Sequence, residues 1–250
     1  MTQAYGLIGY PLGHSFSERF FTEKFAREGI RNAVYRLYPL PDLSGFRDLL
    51  RNTPGLRGLN VTIPHKVAVV PLLDELDETA RFIGAVNTIT VDAQGRTKGY
   101  NTDAHGFLVS LERWIPDLRQ RPLPALVFGS GGASRAVRYA FDQLGVPHTV
   151  VSRGPEKNAM DYAALPGWLS GHPDALLINT TPVGMHPDAA ACLPLPWAMV
   201  GSGHFVYDLI YNPAETLLLQ RARRQGASVK NGLDMLILQA ERAWHIWQHA

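Results

Sequence analysis

A strand, a glycine-rich turn and a helix follow one another in residues 126–136, and this segment limits the possible folds of the chain most strongly. It reads Leu-Val-Phe-Gly-Ser-Gly-Gly-Ala-Ser-Arg-Ala. Gly129 would allow a tight turn, and Gly131 and Gly132 would let bare backbone approach a pyrophosphate at the helix N-terminus, where amides and the helix dipole favour anions. A merely structural turn is the alternative, but the flanking strand and helix favour dinucleotide binding. The residues assigned to the turn are Gly129, Ser130, Gly131, Gly132 and Ala133.

Short apolar runs alternate with segments of helical spacing along the rest of the chain. The predicted strands are residues 5–9, 34–38, 58–63, 125–128, 148–151, 175–178, 204–207 and 227–229. The predicted helices are residues 17–28, 41–50, 104–114, 133–144 and 232–248. Because strands that alternate with helices of this length form βαβ units, the sequence predicts an α/β fold with mainly parallel sheets.

These units fall into two series that meet near residue 102, which predicts two α/β domains with a cleft between them. Residues 1–102, completed by a C-terminal helix at 232–250, would form the first domain. Residues 103–231 contain the glycine-rich turn and would form a Rossmann-like dinucleotide-binding domain.

The side chains after the strand at 148–151 indicate which dinucleotide the second domain binds. A site for NAD usually carries an Asp or Glu about 20 residues beyond the turn, where it accepts the ribose hydroxyls. Here Ser152 and Arg153 follow the strand, and Lys157 comes a few residues later. Since a guanidinium pairs with a phosphate through two parallel hydrogen bonds, this sequence favours NADP, with its 2′-phosphate. Two exposed basic residues on a loop are the alternative.

Charge balance and cysteine content narrow the classes of partner. The 24 Lys and Arg residues nearly balance the 22 Asp and Glu residues, so we expect a small-molecule substrate and neither nucleic acid nor a membrane as partner. The single cysteine, Cys192, and an N-terminus without a targeting pattern fit a cytoplasmic protein. No Cys/His spacing typical of zinc is present, and we predict no metal. A monomer or a homodimer is expected.

Polar side chains in the first half of the chain fall at predicted strand ends and loops. They are Ser15, Ser17, Asn60, Thr62, Lys66, Asn87 and Asp103. Ligands of an open parallel sheet collect at the C-terminal ends of its strands, so these groups would suit a small polyhydroxylated substrate. Within residues 60–66, Val61 and Ile63 are predicted to anchor the strand in the core, while Asn60 and Thr62 face the substrate.

Eight motifs, in the same order and over nearly the whole chain, resemble those of the shikimate dehydrogenase family. They are Gly-Leu-Ile-Gly-Tyr-Pro-Leu-Gly-His-Ser-Phe-Ser (6–17), Asn-Val-Thr-Ile-Pro-His-Lys (60–66), Gly-Ala-Val-Asn-Thr (84–88), Asn-Thr-Asp (101–103), Gly-Ser-Gly-Gly-Ala-Ser (129–134), Asn-Thr-Thr-Pro-Val-Gly-Met (179–185), Tyr-Asp-Leu-Ile-Tyr-Asn-Pro (207–213) and Asn-Gly-Leu-Asp-Met-Leu-Ile-Leu-Gln-Ala (231–240). The resemblance implies NADPH-dependent reduction of 3-dehydroshikimate to shikimate, a step of aromatic amino-acid biosynthesis. Residues 18–21 depart from the family pattern, in which a proline is followed by a polar pair. This departure affects the expected packing of the first helix more than the expected substrate binding by Ser15 and Ser17.

The resemblance also implies roles for individual residues. Ser15 and Ser17 would bind the substrate carboxylate with help from the Tyr211 hydroxyl. The ring hydroxyls would be held by Asn60, Thr62, Asn87, Asp103 and Gln239. The residues expected beside the nicotinamide half of NADP are Thr180, Met185, Leu209 and Gly232. For Met185 and Leu209, a position in the hydrophobic core is the alternative.

Lys66 and Asp103 would form the catalytic pair. Hydride delivery to a ketone leaves negative charge on its oxygen, so the site needs a positioned proton donor or cation. A lysine, with an ordinary pKa of ~10.4, is charged at neutral pH and can give that proton. Asp103 would orient the ammonium group and a substrate hydroxyl. A strand-end lysine held by a nearby carboxylate is the structural alternative.

Other assignments stay open at this stage. His14 and His65 lie within the motifs, and we expect them to pack or hydrogen-bond rather than to catalyse. An enzyme that also oxidises quinate or prefers NAD is one alternative function, and a catalytically idle nucleotide- or metabolite-binding protein is another.

Overall fold

The computed structural model describes residues 2–13, 16–154 and 158–250, which form two compact units. Unit 1 is Met1–Thr102 with Ala240–Ala250, and unit 2 is Asp103–Gln239. Both units contain a sheet covered by helices, so the predicted α/β class is confirmed. Among the described residues, no helix is long and apolar enough to cross a membrane.

Unit 1 is built on a six-stranded sheet of order β2-β1-β3-β5-β6-β4. Its strands are β1 (Gln3–Gly9), β2 (Ala33–Pro39), β3 (Leu56–Val61), β4 (Glu75–Leu76), β5 (Thr88–Val91) and β6 (Thr97–Tyr100). Its helices are α1 (Phe16–Arg27), α2 (Phe46–Asn52) and α3 (Glu78–Ile83). Strand β1 pairs in parallel with β2 and β3, whereas β5 is antiparallel to both β3 and β6. The carboxyl ends of β1 and β3 therefore lie at the same edge of the sheet.

Unit 2 is built on a five-stranded sheet of order β11-β10-β9-β7-β8, in which every pairing is parallel. Its strands are β7 (Ala125–Phe128), β8 (His148–Val151), β9 (Ala175–Asn179), β10 (His204–Asp208) and β11 (Ser228–Lys230). Its helices are α4 (Asp103–Trp114), α5 (Gly132–Leu144), α6 (Leu165–Ser170) and α7 (Leu217–Arg224). Successive side chains of a strand point to opposite faces, and buried clusters cover both faces of this sheet.

The last helix, α8 (Leu233–His249), takes part in both units. Its first turns group with unit 2, although the sequence analysis assigned all of residues 232–250 to the first domain. Gly106 of α4 makes this packing possible, because a Cβ there would lie 2.6 Å from the Met235 carbonyl oxygen. Farther along α8, Trp247 packs against β3 in unit 1, where a Cβ at Gly58 would overlap its indole ring. The indole N–H of Trp247 donates to the Ile89 carbonyl oxygen at 2.9 Å.

Two features of unit 1 differ from the sequence predictions. Strand β3 ends at Val61, and Ile63 is 59% exposed, so its predicted place in the core is wrong. The chain leaves the sheet before Ile63, and alternation of side chains beyond a strand no longer reports burial. Helix α1 forms despite the unusual residues 18–21, and Phe21 from that segment is fully buried.

Candidate functional site

A buried network of amides and hydroxyls lies at the ends of β3, β5 and β6 in unit 1. The Asn60 side chain accepts a hydrogen bond from the Tyr35 hydroxyl at 2.8 Å and donates to the Asn87 carbonyl oxygen at 3.3 Å. Asn87 Oδ1 accepts from the Thr102 backbone N–H at 2.7 Å, and Asn87 Nδ2 donates to the Thr102 hydroxyl at 2.9 Å. Because buried polar groups keep few alternative partners, these bonds hold both predicted substrate-binding amides in one orientation.

Tyr35 extends this network towards another predicted substrate-binding residue. Its hydroxyl is also hydrogen-bonded to Ser17, which lies in the first turn of α1. Burial raises the pKa of Tyr35 well above its ordinary value, so the phenol stays neutral. The ring stacks on Phe21 with the ring centroids 4.6 Å apart. No sequence motif pointed to Tyr35, because its polar partners come from distant segments.

Lys66 lies on a turn after β3 that is held by backbone hydrogen bonds from several segments. Its carbonyl oxygen accepts from the Val86 N–H at 2.7 Å, and the Ile63 carbonyl oxygen accepts from the Tyr10 N–H at 3.0 Å. The buried His65 ring contacts the Leu40 carbonyl oxygen through Nε2 at 2.6 Å, as expected for a hydrogen-bonding histidine. The turn therefore presents the half-buried Lys66 side chain from a braced backbone.

The remaining residues predicted to bind substrate lie in different parts of the molecule. Thr62 is half-buried on the same turn as Lys66. Asp103 is 1% exposed and begins α4 of unit 2. Tyr211 and Gln239 are half-buried, on the loop after β10 and on α8 respectively. The predicted residues His14, Ser15 and Lys157 lie outside the described residues.

The glycine-rich turn of unit 2 joins β7 to α5, as predicted. Gly129 has φ +109°, and a Cβ there would lie 2.8 Å from the Thr180 hydroxyl oxygen, so this position requires glycine. Gly131 caps α5 without a side-chain hydrogen bond, and a Cβ added to it would meet nothing within 4 Å. The first N–H groups of α5 are thus open to an anion, and the turn fits the pyrophosphate of a dinucleotide. Ser130 and Ala133 lie on the same turn.

The loop after β8 carries the basic side chain that the sequence analysis assigned to a 2′-phosphate. Arg153 is exposed, and its charge acts on the phenol of Tyr162. Ser152 accepts a hydrogen bond from the Gly154 N–H at 3.1 Å through its hydroxyl oxygen, which shapes the loop. A guanidinium at the end of this strand fits NADP, and neither residue 152 nor residue 153 offers a carboxylate for the ribose of NAD.

Four residues predicted near the nicotinamide lie on the loops after β9, β10 and β11. The Thr180 hydroxyl donates to the Phe128 carbonyl oxygen at 2.6 Å, so it sits directly beside the glycine-rich turn. Met185 is 40% exposed, which excludes its alternative place in the core. Leu209 is half-buried and packs against the core cluster that covers one face of the sheet. A Cβ at Gly232 would overlap the Leu209 carbonyl oxygen.

A buried carboxylic acid in unit 2, Asp208, has no counterpart in the sequence predictions. It is the last residue of β10 and is fully buried. Burial raises its pKa from the ordinary 3.8 to about 6, although it accepts hydrogen bonds from Thr216, Ile210 and Asn179. Its position within the Tyr-Asp-Leu-Ile-Tyr-Asn-Pro motif was the available sequence signal.

Two histidines near the C-terminus have a His-x-x-x-His spacing that could suit a metal and that the prediction of no metal overlooked. His245 and His249 are four residues apart on α8, which places two imidazoles on one helical face. Their rings stack with centroids 4.3 Å apart, and His249 Nδ1 lies 2.7 Å from the His245 carbonyl oxygen. Within the described parts of the chain, no three or more metal-ligating side chains gather.

Comparisons with known proteins agree with the fold of both units. Residues 7–89 match the family model described as the shikimate dehydrogenase substrate binding domain. The NADP(+) shikimate dehydrogenase of Caldanaerobacter subterraneus subsp. tengcongensis is 39% identical over 98% of this chain and 91% of that protein. The shikimate 5-dehydrogenase of Thermus thermophilus, solved with NADP(H) and shikimate, superposes with a TM-score of 0.86 at 31% identity, covering 100% of this chain and 94% of the other.

A relative with a different activity superposes equally well. The quinate dehydrogenase of Corynebacterium glutamicum, solved with NAD, gives a TM-score of 0.85 at 31% identity and covers 100% of this chain and 94% of its own. Overall backbone similarity therefore does not separate the two substrates or the two cofactors, and the choice depends on individual side chains.

Proposed function

Because the chain belongs to the shikimate dehydrogenase family, we propose that it catalyses the reversible NADPH-dependent reduction of 3-dehydroshikimate to shikimate. The observation that carries the proposal is the buried network that orients Asn60 and Asn87 beside the braced turn of Lys66. Fixed amides suit the ring hydroxyls of a small polyol, since an oriented amide selects a hydroxyl by the direction of the hydrogen bond as well as by partial charge. The reaction would serve aromatic amino-acid biosynthesis in the cytoplasm.

The first role assigned to the chain is proton transfer at the carbonyl. NADPH, when bound, supplies a hydride to the ketone carbon. Lys66 gives a proton to the carbonyl oxygen as the charge develops there, and takes it back in the reverse direction. Asp103 orients the ammonium group and a substrate hydroxyl.

The second role is substrate binding. Ser15 and Ser17, with the Tyr211 hydroxyl, bind the substrate carboxylate. The residues that hold the ring hydroxyls are Asn60, Thr62, Asn87, Asp103 and Gln239. The hydrogen bond between Ser17 and Tyr35 supports this assignment, because Tyr35 joins the carboxylate side of the site to Asn60.

The third role is cofactor binding in unit 2. The amides of residues 129–133, at the N-terminus of α5, would hold the pyrophosphate. Ser152, Arg153 and Lys157 bind the adenosine 2′-phosphate and select NADP over NAD. Thr180, Met185, Leu209 and Gly232 face the nicotinamide half.

A quinate-oxidising or NAD-using enzyme is the second candidate, favoured by the fold shared with the quinate dehydrogenase. One absorbance assay at 340 nm decides between them by pairing shikimate or quinate with NADP⁺ or NAD⁺. We expect the highest kcat/KM for shikimate with NADP⁺. A higher value for quinate or for NAD⁺ would establish the second candidate, and no turnover with any pair would indicate a catalytically idle homologue.

A further inference from the structure

Three donors converge on the buried carboxyl group of Asp208. The Thr216 hydroxyl donates to Oδ2 at 2.6 Å. Asn179 Nδ2 and the Ile210 backbone N–H donate to Oδ1 at 3.0 Å and 3.1 Å. Burying a carboxylate in a protein interior is unfavourable unless several hydrogen bonds satisfy it, so this position needs an explanation beyond packing.

The amide of Asn179 carries the influence of Asp208 into the loop after β9. Asn179 Oδ1 accepts from both the backbone N–H of Thr181 at 3.0 Å and the Thr181 hydroxyl at 2.7 Å. The Thr181 hydroxyl oxygen in turn accepts from the Val183 N–H at 3.2 Å. The bond to Asp208 sets the orientation of the Asn179 amide. Because Nδ2 must face the carboxylate, Oδ1 is the atom that faces Thr181.

Residues bonded to Asp208, or next to them in the chain, are themselves bonded to the other loops that bear predicted nicotinamide contacts. The Leu209 N–H donates to the Asn179 carbonyl oxygen at 3.0 Å, and the Gly232 N–H donates to the Ile210 carbonyl oxygen at 3.1 Å. Thr180 bonds the Phe128 carbonyl oxygen immediately before the glycine-rich turn. The Asp208 carboxyl group therefore joins the loops after β9 and β10, and separate backbone and hydroxyl bonds connect these two loops to those after β7 and β11.

We propose that Asp208 is a positioning residue for the cofactor site. Its carboxylate locks residues 179–183 to residues 208–216, and this lock sets the surface that Thr180, Leu209 and Gly232 present to the nicotinamide half of NADP. Asp208 acts through these residues and touches neither cofactor nor substrate. The inference rests on the proposed function for the identity of the cofactor, whereas the lock itself is a property of unit 2.

The lock depends on the ionisation of Asp208. The raised pKa, about 6, lies in the range where a protein is normally studied. When the carboxyl group takes up a proton, one of its oxygens becomes a donor and a poorer acceptor, which weakens the hydrogen bond that this oxygen receives. Among the groups around it, the Cys192 thiol interacts with both Asp208 and Arg221 of α7, and burial raises the pKa of that thiol. The Cys192 thiol and the Arg221 guanidinium stay in one charge state between pH 5 and 8, so Asp208 is the group whose charge changes.

The test measures the dissociation constant of NADP⁺ by tryptophan fluorescence between pH 5 and 8, without turnover. At pH 7.5, Asp208→Asn should weaken binding about tenfold, the effect of one lost hydrogen bond to a charged group. The ratio of the variant's dissociation constant to that of the wild type should fall towards one as the pH drops through 6. The cofactor phosphate also titrates near pH ~6, but it does so equally in both proteins and cancels in the ratio.

Two further variants provide a rescue pair and a control. Thr216→Val removes the hydroxyl that bonds Oδ2 and should weaken binding at pH 7.5, whereas Thr216→Ser keeps the hydroxyl and should restore it. Glu215→Gln removes an exposed carboxylate from the same loop, paired with Arg223 at 3.0 Å, and should leave binding unchanged. A wild-type dissociation constant for Asp208→Asn at pH 7.5, or a ratio independent of pH, would overturn the proposal.

The outcome for Asp208 can be separated from that for the proposed function. Hydrogen–deuterium exchange of residues 179–185 without cofactor should be faster in Asp208→Asn and Thr216→Val than in Thr216→Ser at pH 7.5, and equal rates would overturn the lock. Absence of shikimate oxidation by the wild type would refute the proposed function and leave both of these measurements intact. If Asp208→Asn does not fold, the two Thr216 variants decide by the same criteria.

Discussion

The two units contain buried polar networks of similar construction and different charge. In unit 1, the amides of Asn60 and Asn87 are held by neutral hydroxyl and backbone groups. In unit 2, an amide, a hydroxyl and a backbone N–H converge on the carboxyl group of Asp208. The neutral network keeps its hydrogen bonds at any ordinary pH, whereas the other one changes when a single group ionises. A network built from amides gives constant geometry, and one built on a buried acid makes geometry depend on pH.

The largest expected effect concerns Lys66, the proposed proton donor, whose turn lies beside the neutral network of unit 1. Lys66→Ala should lower kcat by about 10²- to 10⁴-fold, the usual contribution of a positioned proton donor, with little change in the KM for shikimate. Steady-state kinetics at 340 nm measure both. The matched control is Lys98→Ala. It removes a lysine of β6 whose ammonium nitrogen lies 3.6 Å from a carboxylate oxygen of Glu75, and it should keep the wild-type kcat. Near-normal turnover of the Lys66 variant would remove Lys66 from the mechanism.

The second prediction introduces a charge into the neutral network. Asn87→Asp should lower the free energy of unfolding by about 3 to 5 kcal/mol at pH 8, because the new carboxylate loses its hydration at this buried position among amides and hydroxyls. Burial should raise its pKa in the folded state, so the loss should be small at pH 4 and grow as the pH rises. Urea unfolding at a series of pH values measures it. Asn32→Asp, at an exposed position, should change the stability little, and equal effects of the two substitutions would show that the network tolerates charge.

The third prediction removes the charge from the network of unit 2. The pKa of Asp208 is about 6 in the folded protein and 3.8 ordinarily, so its stabilising contribution is complete below pH 4 and is lost as the pH rises through 6. By linkage this amounts to about 3 kcal/mol. Relative to Asp208→Asn, the wild type should therefore lose stability between pH 4 and pH 7, as measured by urea unfolding. Parallel pH profiles for the two proteins would contradict the raised pKa.

Ionisation of Asp208 should lower the stability of the folded protein and, at the same time, increase the order of the loops bonded to its carboxylate. The carboxylate is costly to bury, and it is also the form that accepts all three hydrogen bonds. We therefore expect Asp208→Asn to be more stable than the wild type at pH 7.5 and to bind NADP⁺ less tightly. A conflict of this kind is common where function needs a group that folding alone would not favour.

The smallest expected effect concerns the connection between Ser17 and Asn60. Tyr35→Phe removes the hydroxyl that bonds both residues and should raise the KM for shikimate several-fold, with a loss of about 1 kcal/mol in the free energy of unfolding and little change in kcat. Tyr5→Phe is a matched control, since its hydroxyl bonds Gln3 and Gln248 and lies outside the predicted site. If both variants raise KM equally, the effect comes from packing and Tyr35 has no special role.

The predictions from sequence succeeded where the signal is local. The strands 125–128 and 148–151 have the predicted bounds, because apolar runs between turn residues report buried parallel strands directly. The turn at Gly129 was recognisable for the same reason, since strand, glycine and helix are adjacent in the chain. The antiparallel strands β5 and β6 were not predicted, because Thr88, Thr90, Thr97 and Lys98 interrupt the apolar runs by which the other strands were recognised.

The sequence by itself determined the α/β class, the family and the candidate residues for chemistry, because periodicity and motifs are properties of neighbouring residues. Tertiary structure alone decided which polar groups hold those residues in place. Tyr35 and its partner Asn60 are 25 residues apart, and Asp208 and Asn179 are 29 apart. Tertiary structure also decided that Ile63 is exposed and that Asp208 is buried with a raised pKa. Burial and hydrogen-bond partners depend on which segments the fold brings together, and no pattern along a single segment encodes that.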